Sequence, residues 1–203
     1  MEFTAFMGPI GSFLSLLIGA YLLGSISSAV LVCTLLGFPD PRTEGSNNPG
    51  ATNVMRIAGR GPAALTLLGD ILKGVLPVLL TLALGFSTSA AAWVGLAAFL
   101  GHLLPVFFRF QGGKGVATAF GVLFALHLPL GLIAAFSWII VFFSSRISSL
   151  ASMAAFVVVP ICSWAILPSS ALPISLLAAT LLVRHHSNIR NLLKGEELGF
   201  KKQ

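Results

Sequence analysis

Charge is what this chain has least of. Only 9% of its 203 residues are Asp, Glu, Lys or Arg, against 56% hydrophobic, whereas a water-soluble domain carries roughly a quarter charged residues. A fold of this composition could not cover itself in water, which excludes a soluble globular protein. Acidic residues are scarcest, six against twelve basic, and the balance of +6 has too little water-facing surface around it to form a nucleic-acid footprint. Cys33 and Cys162, the only cysteines, lie in separate apolar runs, so neither a disulfide framework nor a thiolate metal site is implied. His185 and His186 are neighbours with no spaced third ligand, and there is no HExxH or aspartate-rich cluster. No metal and no other cofactor is therefore expected.

Apolar runs dominate what remains. A membrane helix needs about 20 residues, and such runs extend over 9–36, 62–85, 90–108, 150–167 and, shorter, 171–183. A further uncharged stretch, 116–143, would measure about 42 Å as one straight helix, against a hydrocarbon core of about 30 Å. It breaks naturally at His127-Leu128-Pro129, leaving halves of about 14 residues, short but tolerable inside a bundle. The chain is expected to be all-α, a polytopic membrane protein of seven transmembrane helices with short fourth and fifth spans. Seven crossings put Arg42, Arg56, Arg60, Arg109, Lys114, Arg146, Arg184, Arg190, Lys194, Lys201 and Lys202 on one side, with Lys73 alone inside a span. That side is expected to be cytoplasmic and to hold the C-terminus, with Met1 to Met7 outside. The first run lacks a basic leader region and is too long for a signal peptide, so it is read as helix one. Without an internal repeat or a soluble insert, 1–203 reads as one membrane domain with polar loops 37–61 and 109–115 and a cytoplasmic tail 184–203.

Three polar stretches then share a face. Loop 37–61 is longer than a connector needs to be. Gly45 and Gly50 let backbone amides turn toward an anion, while Asn47, Asn48, Thr52 and Asn53 offer neutral hydrogen bonds and Arg42, Arg56 and Arg60 match phosphate oxygens. In the second stretch Gly112, Gly113 and Gly115 surround Lys114 just before a helix start, gathering amides, a positive helix end and an ammonium. It is not a P-loop, since Gly115 stands where Ser or Thr should follow the lysine. The third stretch, from Arg184 to Glu197, puts His185 and Asn188 on related faces if the helix continues. Asp70 and Lys73 can pair within span two, and His102 can face the same pocket. Gly24 and Ser28, four apart, form a small-residue seam in span one. Such loops would also serve as turn-rich connectors, as the gate of an anion transporter, or as a lipid-headgroup binder.

Several chemistries are missing. No paired carboxylates suit glycoside hydrolysis, no serine sits in a nucleophile elbow, and none of the four histidines has Asp five positions later, where Phe107, Leu132, Arg190 and Asn191 stand. A positively polarised pocket could instead hold two anionic substrates while one attacks the other.

The segments Ala20 to Ser28, Gly45 to Asn53, Gly101 to Phe108, Gly112 to Thr118 and Arg184 to Glu197 together resemble the acyl-phosphate-dependent glycerol-3-phosphate acyltransferases of bacterial inner membranes, the PlsY family. The resemblance implies seven helices, an outward N-terminus and a cytoplasmic site. It implies transfer of a fatty acyl group from acyl phosphate to the 1-hydroxyl of glycerol 3-phosphate, with no cofactor and no obligate protein partner beyond membrane lipids. The implied catalytic positions are Ser46, His185 and Asn188. Those for substrate phosphate are Thr52, Asn53, Arg56 and Lys114, with Glu197 at an acidic position in support; the reading of the residues adds Gly112, Gly113 and Gly115 to the phosphate set and Asn48, Asp70, Lys73 and His102 as supporting. Asn47 replaces a family glycine, so a positive φ there would rely on the tolerance of Asn. The family's usual tail arginine falls on Asn191, with Arg190 about 100° away on a helix.

Overall fold

The computed structural model describes residues 2–199, with side chains from Gly8 onward; Met1, Lys201 and Lys202 lie outside the described residues. Ten α-helices and two short 3₁₀ turns make up the described secondary structure. The first apolar run becomes α1 (Glu2–Gly24) and α2 (Ser28–Leu35), bent by 41°. This corrects the expectation of one continuous helix, so Gly24 and Ser28 do not form a seam on a single rod. The bend has physical causes. Gly24 is pressed against the Ala98 carbonyl so closely that a Cβ would collide, and Ser27 adopts an extended conformation. The Ile26 carbonyl at the bend accepts from Lys73 Nζ at 2.8 Å.

Part of the long polar loop is helical, because α3 (Ala51–Ala58) and the start of α4 (Arg60–Ala83) fall inside it. The chain continues through α5 (Thr88–Leu103), a 3₁₀ turn at Val106–Phe108, then α6 (Val116–Leu126) and α7 (Leu128–Ser145). The break between α6 and α7 falls at His127, whose φ of −161° and ψ of 102° are extended, as the His-Leu-Pro sequence implies. The halves are unequal, 11 and 18 residues, because Pro129 suits the first turn of a helix and lets α7 start at once. At 1.5 Å per residue α7 is therefore about 27 Å long and α6 only about 16 Å. α8 (Ser148–Ile166), a 3₁₀ turn at Pro168–Ser170, α9 (Ala171–Arg184) and α10 (His186–Lys194) complete the fold.

Among the described residues, four helices can cross a membrane by length and composition, and the bent pair α1 and α2 makes a fifth, with α6 and 168–184 as shorter apolar helices. α5 is the central element, 61% buried over its apolar window, and α7 an edge at 17%. The outer face is apolar: Leu35, Ile140 and Ile161 are 82%, 68% and 70% exposed, which suits lipid as solvent and would be unstable in water. Helices α4 and α6 cross with near backbone contact, Gly74 against the Thr118 carbonyl and Gly121 against that of Ile71. Small residues at both points let packing hold the helices where no hydrophobic effect can.

Candidate active site

The close α4–α6 crossing fixes where α6 begins, and with it the turn that carries Lys114. Gly115, at φ 80°, caps α6 in the left-handed region that favours glycine. The Gly112 and Gly113 carbonyls accept from the Arg184 guanidinium at 3.0 and 3.1 Å, and the Gly113 N–H donates to the His102 carbonyl at 3.3 Å. These two glycines therefore brace the turn. Of the turn's residues, Lys114 and Gly115 line the cavity described below.

The first loop is folded around Asn53, 1% exposed. Its Oδ1 accepts from the Ser46 N–H at 2.9 Å, while Nδ2 donates to the carbonyls of Pro41 and Glu44, each at 2.9 Å. With its amide so committed, Asn53 shapes the loop, and it also lines the cavity described below. Asn47 has φ 55°, the left-handed conformation that a glycine would adopt more freely. Of the loop arginines only Arg56 reaches the cavity. Arg42 pairs with Asp40 at 2.6 Å, and Arg60 lines a separate apolar cleft with Met55 and Phe142.

The third stretch is not one helix. α9 ends at Arg184 and α10 starts at His186, so His185 is the joint. It is 1% exposed, and its Nδ1–H donates to the Leu181 carbonyl at 2.8 Å, since a carbonyl can only accept. That tautomer leaves Nε2 with its lone pair. Asn188 Nδ2 donates to Glu197 Oε1 at 2.6 Å, and Ser149 Oγ donates to the same oxygen at 2.5 Å. Among the described residues, Asn188 Oδ1 is buried without a hydrogen-bond partner, so it awaits a donor.

All three stretches line one cavity of about 690 Å³. Its polar end holds Ser46, Asn48, Thr52, Arg56, Lys114, His185, Asn188 and Glu197, with Asp70 and His102 on the wall. Lys73 stays behind that wall, paired with Asp70 at 2.9 Å. Asn191 lines the cavity, but Arg190 does not. The other end is apolar, walled by Leu67 and Ile71 of α4, Phe120 and Phe124 of α6, and Ala135, Trp138 and Ile139 of α7. Sequence reasoning missed this arm, the Arg184 brace and the serines at 148, 149 and 152 that also line the cavity. A signal existed for the serines, because Ser144, Ser145, Ser148 and Ser149 surround Arg146 in a fourth polar interruption.

The charges tune one another. Burial, with Arg56 and Arg184 adding, pushes the Lys114 ammonium down to about 8, against the pull of Glu197. Burial, aided by Lys114 and Arg184, pushes His185 down to about 4, against the Leu181 carbonyl and Glu197. His185 is thus neutral at pH 7 and Lys114 mostly charged. Glu197→Gln keeps an acceptor for Asn188 but removes the charge that supports Lys114. The alkaline limb of kcat/KM, which reports free-enzyme groups, should therefore move to lower pH in this variant; a pH–rate profile measures it.

The family model for glycerol-3-phosphate acyltransferase matches residues 14–195. The glycerol-3-phosphate acyltransferase of Pseudomonas entomophila is 51% identical over 93% of this chain and its own full length. That of Methylococcus capsulatus is 53% identical over 90% of this chain and 94% of its own. Among solved structures, the crystal structure of PlsY, an integral membrane glycerol 3-phosphate acyltransferase, is similar in its glycerol 3-phosphate form at a TM-score of 0.90 and 39% identity. That likeness covers 94% of this chain and 96% of the other. The lysophosphatidic acid form of the same protein gives 0.87 and 38%.

Proposed function

Because this chain belongs to the glycerol-3-phosphate acyltransferase family, we propose how its cavity carries out the family's reaction. The protein is a multi-pass inner-membrane enzyme of phospholipid biosynthesis that moves an acyl group from acyl phosphate to glycerol 3-phosphate, giving lysophosphatidic acid and phosphate. The observation that carries the mechanism is the two-ended cavity, polar and cationic where Lys114 and Arg56 stand and apolar between α4, α6 and α7. That shape fits a phosphorylated polyol and a single acyl chain meeting at one point.

Lys114 with Gly115 holds one phosphate and Arg56 the other, while Ser46 and Thr52 donate neutral hydrogen bonds. His185 Nε2 and Asn188 Oδ1 receive hydroxyl hydrogens of glycerol 3-phosphate and aim the 1-hydroxyl oxygen at the acyl carbonyl carbon. As the new C–O bond forms, the bond from that carbon to the phosphate oxygen breaks. The departing phosphate takes the hydroxyl proton, so the protein need not supply a base. Glu197 fixes Asn188 and tempers the surrounding positive charge.

The whole chain acts as one membrane domain crossing seven times, with the C-terminus and the site in the cytoplasm and the N-terminus outside. Supporting this, both ends of the 116–145 segment meet the same cavity, through Lys114 and Ser148, as two crossings joined at His127 require. The tail returns to that end too, through the Ser149–Glu197 contact. Eleven of the twelve basic residues then gather on one side.

Purified protein given acyl phosphate and glycerol 3-phosphate, without ATP or coenzyme A, should release lysophosphatidic acid and phosphate. A folded protein that yields no product overturns the assignment. Ala135→Trp would fill the apolar arm from the edge helix. Losing burial of about two methylenes should cost long-chain acyl phosphates about tenfold in kcat/KM, while the shortest chains react as before; a chain-length series reads the difference.

A further inference from the structure

Behind the Lys114 turn lies a cluster that the acyl transfer does not call on. Asp70 and Lys73 on α4, His102 on α5 and Thr118 on α6 are all at most 7% exposed. Ionisable side chains within a membrane domain are costly, and the helix bend accounts for two of them. Lys73 donates to the Ile26 carbonyl at 2.8 Å, and Asp70 Oδ1, 2.9 Å from the ammonium, neutralises it. That pair would be complete without a histidine. Yet Asp70 Oδ1 also faces His102 Nδ1 at 3.6 Å, and Thr118 Oγ1 lies 3.3 Å from the same nitrogen.

The opposite edge of the ring is turned to the phosphate loops. A Cβ on Gly113 would collide with His102 Nε2 and meet the Pro49 carbonyl oxygen at 3.0 Å. Gly113, the imidazole and the Pro49 bend of the first loop therefore converge. The His102 backbone adds a second tie, its carbonyl accepting the Gly113 N–H at 3.3 Å. On the far side Arg184 holds the Gly112 and Gly113 carbonyls.

We propose that His102 is a positioning residue for acyl transfer, its imidazole bonded to Thr118 and facing Asp70, as the seat that spaces the Lys114 turn from the first loop. The proposal rests on the reading that the Lys114 turn binds substrate phosphate. Asp70 reaches the turn only through His102, whereas Lys73 serves the bend between α1 and α2. Because Arg184 still grips a turn that has lost its seat, the turn shifts without coming free. Displacement of about 1 Å at such a site can cost up to about 100-fold.

His102→Asn keeps a polar group near the Nδ1 position but removes the ring edge beneath Gly113. The KM for glycerol 3-phosphate should rise about tenfold, with the thermal midpoint of the unliganded protein unchanged. Inorganic phosphate should raise the midpoint of the wild type and raise that of the variant less. Asp70→Asn combined with His102→Asn should add little to the KM change, as expected of two residues acting through one contact. If His102→Asn does not fold, Thr118→Val removes only the hydroxyl from Nδ1 and should show a smaller rise in KM and weaker phosphate protection. Wild-type KM and protection in whichever of these folds, or effects of the Asp70 and His102 variants that multiply, overturn the inference. Absence of phosphate protection in the wild type, or its undiminished persistence in Lys114→Met, overturns the reading of the turn itself.

Discussion

Replacing Lys114 with methionine should lower kcat/KM by about 10²- to 10³-fold, the cost of removing one donor aimed at developing charge in a water-poor site. The protein should nonetheless remain at least as stable without substrate. Burial has pushed the ammonium down to about 8 from 10.5, so the folded protein holds that charge at a disadvantage. Methionine has similar length and no charge to desolvate. Between pH 8 and 10.5 the unfolded chain binds more protons at this residue than the folded one, so wild-type stability should rise with pH across that window. Substrate binding should fall over the same range as the amine loses its proton. The two trends run in opposite directions in the wild type, and both should vanish in Lys114→Met. Arginine is no substitute here, because its planar fork needs more room than a turn whose neighbours are gripped by Arg184 allows. Thermal unfolding and pH–rate profiles of the wild type and Lys114→Met check this. An unstable Lys114→Met, or one with an alkaline limb like the wild type's, would count against the assignment.

Much of this arrangement was legible in the order of residues. Apolar runs located the helices, Pro129 located the break beside His127, and the spacing of Asp70 and Lys73 implied their ion pair. The glycines flanking Lys114 marked a helix start that the structure has at Val116. Contacts across the chain were not legible. Nothing local reveals that the Asn53 amide is committed to Ser46, Pro41 and Glu44. The bend after Gly24 depends on the approach of Ala98, 74 positions away (98 − 24). Arg184 read as the start of a basic tail, yet its guanidinium reaches back 71 or 72 residues to the glycine turn. The apolar arm was hidden for a different reason. In a membrane helix the residues facing a substrate chain and those facing lipid have the same chemistry, so periodicity cannot separate Ala135 from Phe136.

His185 decides where the proton goes. A general base works best with a pKa near the working pH, and an imidazole pushed down to about 4 is a poor acceptor for the proton of an alcohol. It is still a good hydrogen-bond acceptor, because the Leu181 carbonyl fixes the proton on Nδ1 and leaves the Nε2 lone pair toward the cavity. His185→Gln should therefore retain activity within about tenfold of wild type, since its side-chain carbonyl supplies an acceptor near the same place, at the cost of one backbone tie worth about 1 kcal/mol. His185→Ala should lose about 100-fold, for want of any group to orient the hydroxyl. Between pH 4 and 6.5 the unfolded chain binds more protons at this residue, so wild-type stability should decline as pH falls through that window, and glutamine should flatten the decline. The acid limb of kcat/KM should be the same in wild type and His185→Gln, because no imidazole titrating at pH 5 to 7 limits the reaction. A glutamine variant that binds glycerol 3-phosphate normally but turns over at background rate would make His185 the base and remove the role given to the departing phosphate.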